Sequence, residues 1–198
     1  MKKKPELTAL TRKKLMDSFW DLYCQKKIEK ISIKEITDNA GYYRSTFYEY
    51  FTDIYDILEQ LETELIFYIT ESIQESLQSP RNEDIIQKIA TLYEDKGEYL
   101  SVLLGNNGDP NFIQKFKKAL RPALFKSFHL SENNEYTKLI FEFSISGILS
   151  SIKYWYDNKK TIPADEIVIM IRSILLNGTT KQIQKYNNDK LGNFPFTT

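Results

Sequence analysis

The stretch AGYYRSTFYEYF, residues 40–51, decides the fold because it combines a glycine, several aromatic rings and one arginine at helical spacing. Phe47 and Phe51 lie four residues apart, so on a helix they share a face, which we predict to be buried against a preceding helix. Tyr48 and the start of the same helix, at Arg44, are then directed elsewhere. Either all the rings pack a core, or the outward ones contact another molecule.

The sequence immediately before this stretch predicts a helix that ends at the glycine. In SIKE, residues 32–35, Ser32 can cap the amide of Glu35 while the Glu35 side chain reaches back to the amide of Ser32. Gly41 tolerates the left-handed conformation that a helix end often needs. This helix, the glycine turn and a further helix over residues 44–50 have the helix-turn-helix layout, whose later helix enters the major groove of DNA. The small core between the two helices is predicted to contain Ile36, Ala40 and Phe47.

The rest of the chain also reads as helical, because apolar residues recur at three and four positions between glycine and proline clusters. A first helix is predicted from Leu7 to Lys26 behind a basic arm, MKKK, and a long fourth helix after Asp53, which can cap it. Later helices are predicted at residues 83–95, 97–104, 110–127, 134–158 and 164–186. We therefore predict an all-α protein.

Composition limits the class of protein. The 198 residues are 41% hydrophobic, enough for one large or two small domains, and the single cysteine, Cys24, excludes an internal disulfide framework. With no signal peptide and no apolar run long enough to cross a bilayer, we predict a cytoplasmic protein without a membrane partner. Residues 1–51 carry 11 Lys and Arg against 7 Asp and Glu, and the remainder 16 against 20. This asymmetry suggests that the amino-terminal end meets a polyanion.

Catalysis finds little support in the sequence. His129 is the only histidine, and Cys24 is placed on the inner half of the first helix, so neither a histidine metal cluster nor a Cys-His pair can form. No glycine-rich phosphate loop follows a strand. We predict no catalytic residue, no metal and no cofactor, and hence a protein that is not an enzyme. A helical enzyme that shares this layout would need a cleft with perturbed acids and bases.

Residues 33–58, with Thr46, Phe47, Tyr48 and Phe51 at their centre, resemble the DNA-binding domain of TetR/AcrR-family transcriptional regulators. In that family the second helix typically ends in Ile-Ala-x-x-Ala-Gly-Val and a Thr-Leu/Phe-Tyr-x-x-Phe signature follows; the likeness extends over about residues 15–65. The resemblance implies a DNA-binding domain over residues 1–53 and a helical ligand-binding and dimerisation domain over 54–186. Residues 187–198 are predicted to be a loosely ordered tail.

The same resemblance implies which residues contact a double-stranded DNA operator. They are Ser32, Lys34, Tyr43, Arg44, Ser45, Thr46, Tyr48 and Tyr50. Arg44 is expected to engage the O6 and N7 atoms of a guanine, and Tyr48 to donate its hydroxyl to a phosphate. Tyr50 would have a similar phosphate role, Ser32 would add a phosphate contact unless capping occupies it, and Tyr43 could meet a thymine methyl group or a sugar.

Some residues depart from the family pattern. Ile54 stands where the family usually has a phosphate-binding lysine, so that anchor is absent or replaced by a backbone amide at the helix start. Tyr42 and Tyr43 replace the common Val and Ser, which removes the usual side-chain cap. Glu49 could accept from a cytosine N4, or it is simply a solvated outward carboxylate.

A partner copy is expected, because helix-turn-helix proteins usually present two recognition helices to successive major-groove faces. The last two long helices are apolar on more than one face, which predicts a homodimer interface there. The residues predicted for that interface are Phe143, Gly147, Ile148, Ile152, Ile167, Met170, Ile171 and Ile174. The alternative is a monomer that buries all of them in one core.

In the resembled family the larger domain often encloses a small molecule whose binding releases the operator. Residues that could line such a cavity for a small hydrophobic or aromatic effector are Tyr93, Tyr99, Phe112, Phe116, Phe141 and Trp155. For each of them, plain core is the favoured alternative. We therefore predict a TetR-type regulator, a repressor released by a ligand, or alternatively one whose large domain is controlled by a partner protein.

Overall fold

A computed structural model describes residues 5–78 and 82–181. These residues form eight α-helices, a short 3₁₀ segment at Ile28–Lys30 and a π-helical segment at Leu175–Thr180, and no strand occurs among them. The α-helices are α1 Pro5–Tyr23, α2 Ile33–Ala40, α3 Arg44–Phe47, α4 Ile54–Leu77, α5 Asn82–Leu103, α6 Phe112–Ser127, α7 Glu135–Asp157 and α8 Ala164–Ile174. The predicted all-α class is confirmed.

The chain divides into two compact units. The first runs to Leu65 and also contains Asn106–Asp109, and the second comprises Ile66–Gly105 and the chain from Pro110 onward. The division falls within α4, twelve residues beyond the sequence-based boundary at residue 53. The predicted tail at 187–198 and the basic arm at 1–4 lie outside the described residues.

The first unit is built around α1, whose apolar side packs on α2. The side chains buried in this unit include Leu15, Phe19, Tyr23, Ile31, Ile36, Phe47, Phe51, Ile57 and Leu61. The hydroxyl of Ser18 donates to the carbonyl of Ile36 at 2.9 Å, so the polar groups at this crossing are paired. Of the predicted core residues, Ile36 and Phe47 are fully buried, whereas Ala40 is only partly buried.

Both ends of α2 form as the sequence predicts. The amide of Glu35 donates to the Ser32 hydroxyl at 3.2 Å, and the amide of Ser32 donates to the Glu35 carboxylate at 2.9 Å. Gly41 ends the helix in the left-handed region at φ 76°, and the next amide, of Tyr42, returns to the carbonyl of Thr37 at 2.9 Å. These two caps fix where the turn before α3 begins.

The second unit contains α5 packed against α7 and α8. Here the structure corrects the sequence, which placed two helices at 83–95 and 97–104: α5 is continuous through Gly97. A Cβ atom at Gly97 would lie 2.8 Å from the Tyr156 ring of α7. The glycine is therefore a point of close packing and not a helix break.

Two further observations concern the whole described chain. No helix within residues 5–78 and 82–181 is long and apolar enough to span a bilayer. The prediction that Cys24 lies on the inner side of the first helix is wrong, because Cys24 follows the last residue of α1 and its side chain is exposed.

Candidate functional site

Helix α3 is held in place by its aromatic residues. Phe47 is fully buried and Phe51 nearly so, with their ring centroids 5.3 Å apart. The guanidinium of Arg12 lies 5.7 Å from the centre of the Phe51 ring, on a third side of this cluster. Burying a phenylalanine side chain contributes about 1.5–3 kcal/mol, so these two rings fix the orientation of a helix that is only one turn long.

The opposite face of α3 points to solvent. Tyr43 is 84% exposed and Tyr48 is 59% exposed, and Arg44 and Ser45 are also exposed. The Tyr48 ring rests edge-on against Phe47, with centroids 5.7 Å apart and an interplanar angle of 87°. An exposed phenol that is braced by a buried ring is suited to donate a hydrogen bond to a fixed acceptor outside the protein.

Two of the predicted contact residues are less accessible. Thr46 and Tyr50 are only partly exposed. The side-chain amide of Gln60, on α4, donates to the backbone carbonyl of Tyr50 at 3.4 Å. This hydrogen bond ties the chain after α3 to the long helix. The structure therefore brings Arg44, Ser45 and Tyr48 to one outward segment, with Thr46 and Tyr50 at its margin.

Ser32 is occupied by its cap. Besides accepting from the amide of Glu35, its hydroxyl donates to the Glu35 carboxylate at 2.9 Å. Lys26 donates to the same carboxylate at 2.6 Å, and the two sets of hydrogen bonds lower the pKa of Glu35 to about 2, the Lys26 bond contributing most. The hydroxyl of Ser32 is thus already satisfied within the protein.

The positive charges of the first unit are not equally available. Lys13, Lys26 and Arg12 form ion pairs with Asp17, Glu35 and Glu64. By contrast, Lys34 on α2 and Arg44 on α3 are exposed, and neither forms an ion pair with any residue in the described part of the chain. Lys34 lies in the first turn of α2 and Arg44 is the first residue of α3, so a polyanion could approach either side chain.

The first turn of α4 shows which backbone amides could bind a phosphate in place of the lysine that Ile54 replaces. The carboxylate of Asp53 accepts from the amides of Tyr55 and Asp56 at 2.8 and 2.9 Å, confirming it as the helix cap. The Asp56 carboxylate in turn accepts from the amide of Thr52 at 2.7 Å. These three amides are engaged inside the protein, which leaves only those of Asp53 and Ile54 to replace the missing lysine.

Sequence reasoning missed a polar network that links α1 to the start of α4. Arg12 donates to Gln60 at 2.7 Å, and Gln60 donates to Asp56 at 2.9 Å. Hydrogen bonds from Gln60 and then from the Thr52 amide lower the pKa of Asp56. Arg12 and Gln60 lie 48 positions apart in the sequence, and no local motif signals such a pair.

In the second unit, α7 and α8 carry an exposed apolar surface. Its residues are Tyr136, Leu139, Phe143, Tyr154, Ile169, Met170 and Ile174. Three residues of the predicted interface, Phe143, Met170 and Ile174, belong to this surface, and Gly147 is exposed, with no atom within 4 Å of the position that a Cβ atom would take. Ile152, Ile167 and Ile171 are instead buried in the core of their own protomer, and Ile148 is partly buried.

The second unit also contains a partly open cavity of about 230 Å³ whose wall is almost entirely apolar. Tyr93, Phe116 and Phe141, from the predicted set, line it, and burial raises the pKa of the Tyr93 phenol. Tyr99, Phe112 and Trp155 are not part of its wall. The Trp155 indole donates to the carbonyl of Ile162 at 2.7 Å and packs in the core of the unit.

Comparisons with known proteins agree with this architecture. Residues 81–177 match a family model described as a transcriptional regulator C-terminal region, of the TetR type. Residues 81–177 are thereby identified as the C-terminal region of a TetR-type transcriptional regulator. No curated protein sequence matches the chain closely enough to count as a relative.

Solved structures share its fold at low sequence identity. A fatty acid degradation regulator, FadR from Bacillus halodurans, is 14% identical with a TM-score of 0.63, over 90% of this chain and 98% of that one. A TetR-family regulator from Streptomyces coelicolor is 16% identical with a TM-score of 0.58, over 95% and 93%. DhaS, a dihydroxyacetone kinase operon activator, is 16% identical with a TM-score of 0.56, over 90% and 98%.

Proposed function

We propose that this TetR-type regulator binds a specific double-stranded DNA operator through α3 and acts as a repressor. The observation that carries the proposal is the pair of faces on α3. Phe47 and Phe51 bury one face, while Arg44 and Tyr48 extend from the other into solvent. A recognition helix requires this division, because base contacts need a fixed helix with free polar side chains.

In this proposal, different residues contact the bases and the phosphate backbone of the DNA. Arg44 presents a guanidinium fork that matches the O6 and N7 atoms of guanine. Tyr48 and Lys34 contact phosphates, with Ser45 and Thr46 near the base edges and Tyr43 and Tyr50 at the margin. Because Ser32 is capped by Glu35, it contributes to the position of α2 and makes no phosphate contact of its own.

The exposed surface of α7 and α8 supports a homodimer. Its large side chains are exposed by 45–74% in the protomer, and large apolar side chains left exposed on neighbouring turns of a helix are typical of an interaction site. A second copy would cover the same residues on both partners and would present two α3 helices to one operator. Phe143, the most exposed of these side chains, is the expected centre of the contact.

The cavity supports control by a small molecule. An apolar cavity in the second unit supports control by an effector, whereas a filled core beside an apolar patch would favour control by a partner protein. A ligand releases DNA only if it binds the DNA-incompetent arrangement more tightly than the competent one. We propose this linkage as the regulatory step and assign the chain no catalytic role.

The test uses a duplex library and three variants. Replacement of Arg44 by Ala should lose about 1–3 kcal/mol of discrimination, which is roughly 5- to 150-fold, at one base pair per half-site. Replacement of Tyr48 by Phe should weaken binding to all duplexes, on the order of tenfold, because the lost hydrogen bond goes to a charged phosphate. Tyr68→Phe is the matched control, since Tyr68 is 43% exposed on α4, in the second unit and outside the α7–α8 surface.

Two outcomes would count against the proposal. One is a parent protein that binds duplexes without sequence preference. The other is an Arg44→Ala variant that keeps the full base preference of the parent. In either case α3 would not be the element that reads the bases, and a regulator whose large unit is controlled by a partner protein would become the better account.

A further inference from the structure

The wall of the cavity has an unusually simple composition. Apart from aliphatic and aromatic side chains, the polar residues that line it are Thr137, Ser144 and Arg172, together with the phenol of Tyr93. None of the described residues that form the wall is an aspartate or a glutamate. A ligand that fits this space must therefore be mostly hydrocarbon, with few polar atoms.

Thr137 is a polar group in this wall whose side chain has no hydrogen-bond partner among the described residues. Its side chain is 1% exposed, and its Oγ1 atom makes no hydrogen bond. A helical serine or threonine usually donates to the carbonyl four residues earlier, as Ser144 does to Ile140 at 2.7 Å. Thr137 stands in the first turn of α7, so the residue four positions earlier precedes the Asn134 cap and offers no helical carbonyl.

A buried hydroxyl without a partner is costly, and a ligand can remove that cost. The Thr137 amide is already paired with the Asn134 side chain at 3.2 Å, so only the hydroxyl remains to be satisfied. Threonine in helices divides between two χ1 rotamers, so rotation about the Cα–Cβ bond can redirect the hydroxyl. An oxygen atom on a bound molecule would therefore find a donor at this point of the wall.

The charges around the cavity determine which charge a ligand can carry. The first turn of α7 carries the positive end of its helix dipole, and Arg172 adds a cation to the wall. Since the wall contains no carboxylate, a buried cation would remain unpaired at a large desolvation cost. The site accordingly favours a hydrogen-bond acceptor, neutral or anionic, over a positively charged group.

The volume sets the length of the hydrocarbon part. A cavity of roughly 150 Å³ lined by apolar side chains holds benzene, with six carbons. By proportion, the cavity of about 230 Å³ accommodates a chain on the order of nine carbons.

We propose that the cavity binds a single aliphatic chain of about this length that ends in an oxygen acceptor, and that Thr137 Oγ1 donates to that oxygen. The effect of the ligand on operator binding rests on the proposed function, whereas binding of the ligand to the cavity can be measured without DNA. The proposal names the ligand class and the anchoring residue, neither of which follows from membership of the family.

The experiment compares three probes of equal chain length with the full chain by calorimetry. These are 2-nonanone, nonanoate and nonyltrimethylammonium. At least one of the two oxygen-bearing probes should bind, and the quaternary ammonium probe should bind at least tenfold more weakly. Replacing Thr137 by Val, which keeps the shape, should weaken the oxygen-bearing probe roughly three- to tenfold, and replacing it by Ser should restore binding.

The unliganded protein provides a second readout. Because the valine variant removes a buried hydroxyl that has no partner, it should raise the Tm of the unliganded protein by a few degrees. A threonine with a merely structural hydrogen bond would show the opposite sign. The proposal is overturned if neither oxygen-bearing probe binds, if the ammonium probe binds as well as they do, or if the valine variant binds them unchanged.

Operator binding, measured with and without the same probe, separates the two proposals. Probe binding that leaves operator affinity unchanged supports the ligand class and contradicts the effector-release mechanism. Intact operator binding in a protein that takes up none of the probes contradicts the ligand class and leaves the DNA-binding function standing.

Discussion

Gly97 should be the least tolerant glycine in the second unit. A methyl group added there would lie 2.8 Å and 3.0 Å from two carbons of the Tyr156 ring. Carbon atoms prefer about 3.5–4.0 Å, so the closer contact is short by roughly 0.7–1.2 Å. The ring cannot move away without cost, because it packs edge-on against Trp155 and lies 5.2 Å from the Lys160 ammonium.

The expected magnitude follows from two opposing terms. Forced overpacking costs about 1–3 kcal/mol, whereas replacing a glycine in a helix by alanine recovers about 1 kcal/mol. The Gly97→Ala variant should therefore lose about 1 kcal/mol of stability, equivalent to a fall in Tm of about 2–4 °C for a chain of this size. Thermal unfolding at one fixed protein concentration measures this shift.

The control is the same substitution in a Tyr156→Ala background. There the ring is gone, so only the helix-propensity term remains and Gly97→Ala should stabilise the protein by up to about 1 kcal/mol. A change of sign between the two backgrounds supports the packing account. Equal effects in both backgrounds would show that the Tyr156 ring does not determine the requirement for glycine.

Three other substitutions probe the remaining features. Asp56→Asn should lower the free energy of unfolding near neutral pH. The loss should shrink as the pH falls through the pKa of Asp56, which in the folded protein lies below its usual value of 3.8. Urea titrations at two pH values measure the loss, and a loss that is the same at both would contradict the account. Phe143→Lys should convert dimers to monomers in sedimentation experiments. Phe67 on α4 is similarly exposed, and Phe67→Lys should leave the dimer intact. A dimer that survives Phe143→Lys would place the interface elsewhere. Ile54→Lys should tighten operator binding and steepen the dependence of log K on log salt by about 0.9 for each new phosphate contact, and an unchanged slope would exclude such a contact.

The first unit was largely predictable because its signals are local. The Ser32 cap, the left-handed Gly41 and the spacing of Phe47 and Phe51 each depend on residues within four positions of one another. Such short-range rules survive folding unless a tertiary contact overrides them. The polar network from Arg12 to Gln60 joins distant segments, and for that reason no sequence pattern indicated it.

The second unit was less predictable because helical periodicity does not say which apolar face meets which neighbour. Ile152 and Phe143 both belong to apolar stripes of α7, yet one is buried in its own protomer and the other is 74% exposed. The sequence predicted separate helices at 83–95 and 97–104, yet Gly97 lies inside the continuous α5, and its close approach to the Tyr156 ring accounts for the glycine. A cavity is a property of imperfect packing, so composition could suggest aromatic walls but not the largely aliphatic wall observed.

Selection of duplexes from a random pool by the parent protein tests the central claim most directly. A dimer that reads DNA through two copies of α3 should enrich a two-fold symmetric site whose half-sites are separated by about 34–36 Å or a multiple of that distance. Each half-site should contain a guanine whose preference disappears with Arg44→Ala. Enrichment of no sequence, or of a site without symmetry, would contradict the assignment of α3 as the recognition helix of a dimeric regulator.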